Sequence, residues 1–596
     1  MEYKYVPLSE GEIRLLHLLP SSLPDEPFEG AIEHVFLHEG HKFEALSYTW
    51  GHGDKTGVLR VHHKEKGAVS GIGNASLHLT ANLSVALSRL RHPDTVRTIW
   101  IDQICINQAD PDEKSIQVPL ISRVYETAER VIVWLGEEDE DTALAFQDLE
   151  ITPIELQQVR DRVLSLHAGR QLAESEEQRM IAAHWPIVKI ATGAWAASAS
   201  LFKREFFQRV WVIQEVVLGR EVIVKCGSHS ASWDNLATVS TLHQHIHHAL
   251  EKAPDTISII SSARRDYQGQ GRGMDLAQAM FNSHFYKATD QRDKIYGTLG
   301  LLDISTISDL PISYTSTVED VYRETVLLFI QHSSSLDILS SIVGPGGAGL
   351  PSWVPDCRIE SHVRHRITPS IRSPRFQSSL MGPSGFGISR DRNQLFVTGL
   401  VLAQVDVVGD VHTQAGETGP TWTTMRKAEA AWMKMAHQAA QVRKTPGFPL
   451  NYHRLICASD DVAVPGSANC ERDMEAFDVW SWWLNRNSDE ELPYAGKHGI
   501  ADVFSELSTR IVMGCAGRRI LLTPEKLLAL GPQTAEVGDA ICWLHGCSVP
   551  LVLRMVQKEL QVGDVFWEVV GACYLQGFMS GPLEYDSTEV RRFVLV

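Results

Sequence analysis

Residues 95–136 read TVRTIWIDQICINQADPDEKSIQVPLISRVYETAERVIVWLG, and the two ends of this stretch decide the fold class. TIWID (Thr98–Asp102) is a short β-branched and aromatic run that stops on an acidic residue, and VIVWL (Val131–Leu135) is a second such run that stops at Gly136. Between them Ile116, Leu120, Ile121, Val124, Tyr125 and Ala128 recur at helical spacing. Pro119 lies inside that helix and should kink it or delay its start, because proline lacks an amide donor and clashes with the preceding turn. Strand, helix and strand in this order make an α/β crossover with parallel strands. A run as apolar as VIVWL suits a strand buried on both faces.

Working outward, FEALSYTWG (43–51) reads as a strand running into a glycine-rich turn, and VLRVHH (58–63) as a further strand. LTANLSVALSRLRHPD (79–94) places Leu83, Leu87 and Leu90 on one helix face, with Thr80 or Asn82 as the cap. FFQRVWVIQEVVLGREVIVKCG (206–227) reads as a helix followed by a strand over Glu221–Lys225. The four runs Phe43–Tyr48, Thr98–Asp102, Val131–Leu135 and Glu221–Lys225 are therefore expected in one partly parallel sheet, with the helix around 113–129 flanking it. Residues 1–40, with the loop SSLPDEPFEG, read as an approach segment. The first domain is placed at 1–240, with its α/β core at about 40–227 and a charged, Ala-rich helical insertion at about 137–200. A mostly helical middle region covers 241–390, and a mixed region over 391–596 ends in a small antiparallel β domain.

The whole chain has 596 residues, with 55 Lys plus Arg against 73 Asp plus Glu, for a net charge of -18. It has no long Lys/Arg run, so nucleic acid is not an expected partner. Nine dispersed Cys fit a reducing compartment better than a disulfide framework. The N-terminus lacks the apolar core of a signal peptide. The most apolar stretch, Trp185–Phe202, is interrupted by Pro186 and Lys189 and is a poor membrane span. A cytoplasmic location is expected.

Several residues are candidates for chemistry. Asp102 ends a central strand within the polar cluster Asp102, Gln103, Asn107 and Gln108, and ligands of open α/β sheets gather at strand carboxyl ends. The alternative is that Asp102 and Asn107 cap the next helix. Ser47 and Tyr48 close another strand, Trp50 could stack on a base or plug the sheet, and Gly51, Gly53 and Gly57 could bring backbone amides to a phosphate. Glu215 lies four residues from Trp211 on one helix side, among Val212 and Val216. Such surroundings raise a carboxyl pKa and suit an acid, a base or an acceptor of sugar hydroxyls. The alternative is a scaffold ion pair with Arg204, Arg209 or Arg220. No standard zinc spacing occurs among His34, His38, His41, His62 and His63, so no metal is expected. Cys105, between Ile104 and Ile106, reads as a buried structural thiol.

Taken together, ALSYTWG (45–51), IWIDQICINQAD (99–110), Glu113, Gln117, Tyr125, Ala128, VIVWLG (131–136) and RVWVIQEV (209–216) resemble the fungal heterokaryon-incompatibility, or HET, domain. ATDQRDKIYGTLGL (288–301), Tyr314, WVPD (353–356) and the terminal GDAICWLHGCSVPLVLR and GACYLQGFMSG resemble extensions of large HET proteins. The resemblance implies non-self recognition and programmed cell death after fusion of unlike fungal cells, through self-association and an unidentified protein partner. The core also resembles a distant TIR fold, where a strand ends in Ser-Tyr and a later helix carries Trp and, four residues on, the Glu that serves NAD cleavage. Ser47–Tyr48 and Trp211–Glu215 match those positions. That likeness makes NAD a candidate substrate and requires no cofactor. With the reading of the residues above, the catalytic candidates are Glu215 and Asp102 and the binding candidates are Ser47, Tyr48, Trp50, Gly51, Gly53, Asn107, Gln108 and Trp211. The alternatives are a non-catalytic module acting by self-assembly, or a regulatory or biosynthetic protein on a HET scaffold.

Overall fold

In the computed structural model the four expected strands lie side by side. The strands of the first sheet are β1 (Glu12–Leu18), β2 (Phe28–Phe36), β3 (Glu44–Tyr48), β4 (Lys55–His63), β5 (Gly73–Thr80), β6 (Arg97–Trp100), β7 (Arg130–Trp134), β8 (Val222–Cys226) and β9 (His229–Ser232). Their order is β5-β4-β2-β1-β6-β3-β7-β8-β9. The structure describes residues 2–166 except 24–25, 52 and 64–72; 193–302 except 247–254 and 271–273; and 310–359 except 311, 345 and 348. It also describes 385–457 except 413–421 and 444–447, a few positions between 477 and 511, and 514–596 except 557–564 and 580–585. Part of the expected insertion (167–192), with it the first eight residues of the apolar run Trp185–Phe202, and the loop RHRITPSIRSPRFQSS (364–379) lie outside the described residues.

Within the sheet, β6, β3, β7 and β8 are mutually parallel neighbours. Numbered by their own chain order they run 2-1-3-4, the order of a doubly wound sheet of the flavodoxin type. In such a sheet the chain reverses direction between the first and third strands, here β3 and β7. The crevice outside their carboxyl ends is where this topology places ligands. Ser47 and Tyr48 stand at that end of β3, paired with Val133 and Trp134 of β7.

Residues 1–40 are no mere approach segment. They supply β1 and β2, and β1 sits mid-sheet, antiparallel to both β2 and β6. EIRLLHL lacks period-two alternation because a mid-sheet strand is covered on both faces; Ile13, Arg14, Leu15 and Leu16 are all buried. The two terminal nitrogens of the Arg14 guanidinium bond Glu113 at 2.6 and 2.9 Å and the carbonyls of Cys105 and Val6, while its Nε is buried without a hydrogen bond.

Pro119 has the predicted effect. The helix Pro111–Gln117 gives way to a 3₁₀ turn at Val118–Leu120 and resumes as Ile121–Thr127. Thr80 caps the helix Ala81–Leu90, which buries Leu83, Ala86, Leu87 and Leu90. The insertion contributes helices Thr142–Leu166 and Gly193–Phe202. They are joined to the helix Trp233–Ile246 through Ser198, which bonds Asp148 at 2.6 Å and His243 at 3.0 Å.

Two compact units divide the chain: Met1–Met274 with Phe285–Ile307 and Pro311–Thr317, and the remainder. Among the described residues the second unit holds the helix Val318–Ser333 and ten strands. These are β10 (Gly387–Ile388), β11 (Leu395–Gln404), β12 (Val407–Val411), β13 (Arg518–Leu522), β14 (Leu528–Pro532), β15 (Ala540–Leu544), β16 (Leu551–Val556), β17 (Phe566–Ala572), β18 (Tyr574–Leu575) and β19 (Arg591–Leu595). They form a six-stranded sheet, β10-β11-β15-β16-β17-β19, and a four-stranded sheet, β12-β13-β14-β18. Leu521, Ala529, Ile541, Val552 and Leu575 share one buried cluster of this region. No helix among the described residues is long and apolar enough to cross a membrane.

Candidate functional site

Asp102 follows β6 and begins the four-residue helix Asp102–Cys105. One carboxylate oxygen accepts the Trp50 indole N–H at 2.9 Å, and the other accepts the backbone amide of Gln103 at 2.7 Å. Gln108 donates its side-chain amide to the Asp102 carbonyl at 2.9 Å. The Gln103 side chain in turn accepts the hydroxyls of Tyr48 and Thr80, each at 3.1 Å. The carboxyl ends of β3 and β6 are thus joined by a short polar chain: Tyr48, Gln103, Asp102, Trp50. Burial pushes the Asp102 carboxyl above its usual range, while the Arg209 cation and the Trp50 bond oppose that rise.

Glu215 lies on the helix Val212–Leu218, one turn after Trp211, and is only 6% exposed. Its carboxylate accepts the Ser47 hydroxyl and lies within hydrogen-bonding reach of Tyr125, whose own hydroxyl donates to the Leu46 carbonyl at 3.0 Å. Burial pushes the carboxyl up to about 7, against the opposing pull of Arg209 and the Ser47 bond. Among the described residues no arginine makes an ion pair with Glu215. Arg209 donates to the backbone carbonyl of Tyr48. Arg204 bonds the Leu135 and Glu137 carbonyls and pairs with Asp139. The scaffold ion pair considered from sequence is therefore not what the fold builds. It holds a carboxyl group, poised between its two protonation states near neutrality, against Ser47 at the carboxyl end of β3.

Ser47, Tyr48, Trp50, Asp102, Gln108 and Glu215 are all brought to this region of the sheet. Gly51 and Gly53 are exposed, with φ of 71° and 83°, and a side-chain carbon on Gly53 would meet nothing within 4 Å. Asn107 is tied into its own loop: its side chain accepts the Ala109 amide at 3.3 Å and its backbone amide donates to Glu113 at 2.7 Å. The following helix is capped by Asp110, not by Asn107. The Cys105 thiol is fully buried, and burial pushes it up to about 12, which leaves it inert at neutral pH.

Three contributors had no clear signal in the sequence. Tyr125 counts there as one more apolar helix position, and only its hydroxyl, aimed at the Leu46 carbonyl and Glu215, gives it a second role. Gln103 is one member of a polar run. Arg209 looks like a salt-bridge partner, yet it spends its guanidinium on a strand-end carbonyl. The indole of Trp211 lies within hydrogen-bonding reach of Asp293, a residue far along the chain.

Residues 43–215 match the family described as heterokaryon incompatibility protein (HET), and residues 422–596 match the Het-6 beta-barrel domain. Over its full length the chain is 25% identical to heterokaryon incompatibility protein 6, OR allele, of Neurospora crassa, across an alignment of 679 positions that covers 98% of that protein. No solved structure matches.

Proposed function

We propose that this chain, whose residues 43–215 match the HET family and whose residues 422–596 match the Het-6 beta-barrel domain, acts in heterokaryon incompatibility, as an effector of non-self recognition and programmed cell death. Its HET domain cleaves the nicotinamide–ribose bond of NAD, with Glu215 as the catalytic carboxylate. The observation that carries this reading is the state of Glu215. It is a buried carboxyl that makes no ion pair among the described residues, with Arg209 acting on it only from a distance, and it is bonded to Ser47 at the switch point of the parallel strands.

In the reaction the C1′–N bond breaks heterolytically and its electron pair stays on nitrogen, so nicotinamide leaves as a neutral ring. The ribosyl group becomes an oxocarbenium-like cation. Ionised Glu215 accepts hydrogen bonds from the ribose 2′- and 3′-hydroxyls and stabilises the developing positive charge. Water then adds to C1′ and loses a proton, giving ADP-ribose. Ser47 holds the carboxylate in place, and Trp50 and Tyr48 flank the strand ends where the ring would stack. The ionised form is the active one, so turnover rises with pH through about 7. Glu215→Gln in the purified full chain should lower NAD turnover by about 10²-fold or more with the fold retained.

A second reading draws on the burial of Glu215. In the single chain its carboxylate is covered, which favours a module that works by self-association, either opening the site on assembly or acting through contacts alone. Wild-type protein that leaves NAD intact in both its monomeric and its self-associated form would favour the purely associative role.

A further inference from the structure

We propose that Asp293 is a positioning residue of this same site, acting through Trp211, and that Asp293 and Tyr314 complete it from outside the matched segment 43–215. The inference deepens the NAD-cleavage reading and rests on it only for its kinetic arm.

The segment 287–300 lies along the chain that carries Trp211 and Glu215. The Val210 amide donates to the Lys287 carbonyl at 3.1 Å, and the Lys287 amide returns a bond to the Gln208 carbonyl. Gly297 follows the short helix Asp293–Tyr296. A side-chain carbon there would lie 3.4 Å from the Trp211 amide nitrogen and 3.2 Å from Val210, so the two backbones are in close contact. Further on, a side-chain carbon on Gly300 would lie 2.2 Å from Ser122 and 3.0 Å from the Gln214 side chain. The two segments therefore meet at both ends of the Trp211–Glu215 turn.

Asp293 joins them through side chains. Its carboxylate accepts the Tyr314 hydroxyl at 2.8 Å and lies within hydrogen-bonding reach of the Trp211 indole N–H. Tyr314 is itself fixed. Arg292 donates to the backbone carbonyls of Tyr314 and Ser316 and is held by Asp290 at 2.7 and 2.9 Å. Lys114 lies 4.4 Å from the Tyr314 ring centre and Arg292 lies 5.3 Å from it. Among the described residues Asp293 makes no ion pair; its two side-chain partners are neutral donors. Its side chain is only half-buried and adds little to the core. What it does achieve is orientation: Trp211 has one polar atom, and Asp293 fixes where that atom points, hence the face the indole presents one turn from Glu215.

The test uses the full chain labelled with ¹⁵N-tryptophan. Trp211→Phe identifies the Trp211 indole signal, and Trp50→Phe identifies that of Trp50, which bonds Asp102 instead. Asp293→Ala and Asp293→Asn should both move the Trp211 signal and speed its exchange with solvent by about tenfold, leaving the Trp50 signal in place. Tyr314→Phe, which keeps the carboxylate, should move it less. At a temperature where the variants remain folded, kcat/KM for NAD should fall at least about tenfold, the scale expected when a group beside the reacting centre loses its orientation. The proposal is overturned if the Trp211 signal of folded Asp293→Asn stays where it is in the wild type. It is equally overturned if the signal moves while kcat/KM stays within about twofold of wild type. Should Asp293→Ala fail to fold, Asp293→Asn and Tyr314→Phe decide. If the wild type itself releases no nicotinamide, NAD cleavage is discarded, and the indole signal alone decides whether Asp293 positions Trp211.

Discussion

Replacing Glu215 with glutamine separates the cost of burying a charge from the worth of the bonds around it. In the unfolded chain the carboxyl titrates near its ordinary 4.5; in the fold, burial raises it to about 7. Between those values the folded state holds a proton that the unfolded state has released, so wild-type stability falls as pH rises from 4.5 to about 7 and is level above that. The gap corresponds to about 3 kcal/mol at pH 8. Glutamine has the same shape, keeps an oxygen to accept the Ser47 hydroxyl and carries no charge. Near pH 5 the two proteins should therefore be similar in stability. At pH 8 the variant should be the more stable by up to about 3 kcal/mol, less whatever the charged Ser47–carboxylate bond contributes. For a unit of this size about 1 kcal/mol moves Tm by roughly 2 °C. The pH-dependent part of the difference should therefore approach about 6 °C in thermal unfolding at pH 5, 6, 7 and 8. Parallel pH profiles for the two proteins would refute the reasoning, since they would mean that Glu215 titrates alike folded and unfolded.

Ser47→Ala removes the donor that favours ionised Glu215, so the pH midpoint of NAD turnover should move upward from about 7; an unchanged or lower midpoint would contradict the contact. Asp102→Asn keeps an acceptor for the Gln103 amide but turns an NH₂ toward the Trp50 indole. Its melting temperature at pH 7 should stay close to wild type, because relief of the buried charge offsets the lost Trp50 bond. Arg14→Met should lower stability by about 3–5 kcal/mol in denaturant unfolding, since it strands the mostly buried Glu113 carboxylate, and a loss under about 1 kcal/mol would show that water reaches Glu113.

Where a run of residues is apolar throughout and ends abruptly, the sequence is readable. VIVW is legible because burial on both faces leaves no polar position to disguise the strand, whereas Val222–Cys226 shows itself by alternation of buried and half-buried positions, and the run TIWID leaves the strand after Trp100. The break at Pro119 follows from one missing amide. EIRLLHL was harder to read: Arg14 and His17 interrupt its apolar run, and only the distant Glu113 explains how a sheet centre tolerates Arg14. Gly73–Thr80 became a strand through its register with β4, a long-range pairing with weak local signal. At the site, Glu215 and Asp102 stood out as carboxylates among apolar neighbours. Their partners did not, because Tyr125, Arg209 and Asp293 acquire their roles by tertiary approach. Asn107 showed the reverse. A polar residue beside a strand end looks like a ligand, but here its side-chain oxygen accepts the Ala109 amide of its own loop and its backbone amide is bonded to Glu113.

The central claim is that this HET domain breaks the nicotinamide–ribose bond and that Glu215 does the chemistry. The most direct measurement incubates the purified full chain with NAD, as monomer and after self-association, and quantifies nicotinamide and ADP-ribose beside folded Glu215→Gln. The account predicts equal amounts of both products from the wild type, increasing with pH through about 7, and about 10²-fold less from the variant. NAD left intact by folded wild type in either state, or cleaved equally by Glu215→Gln, would contradict it.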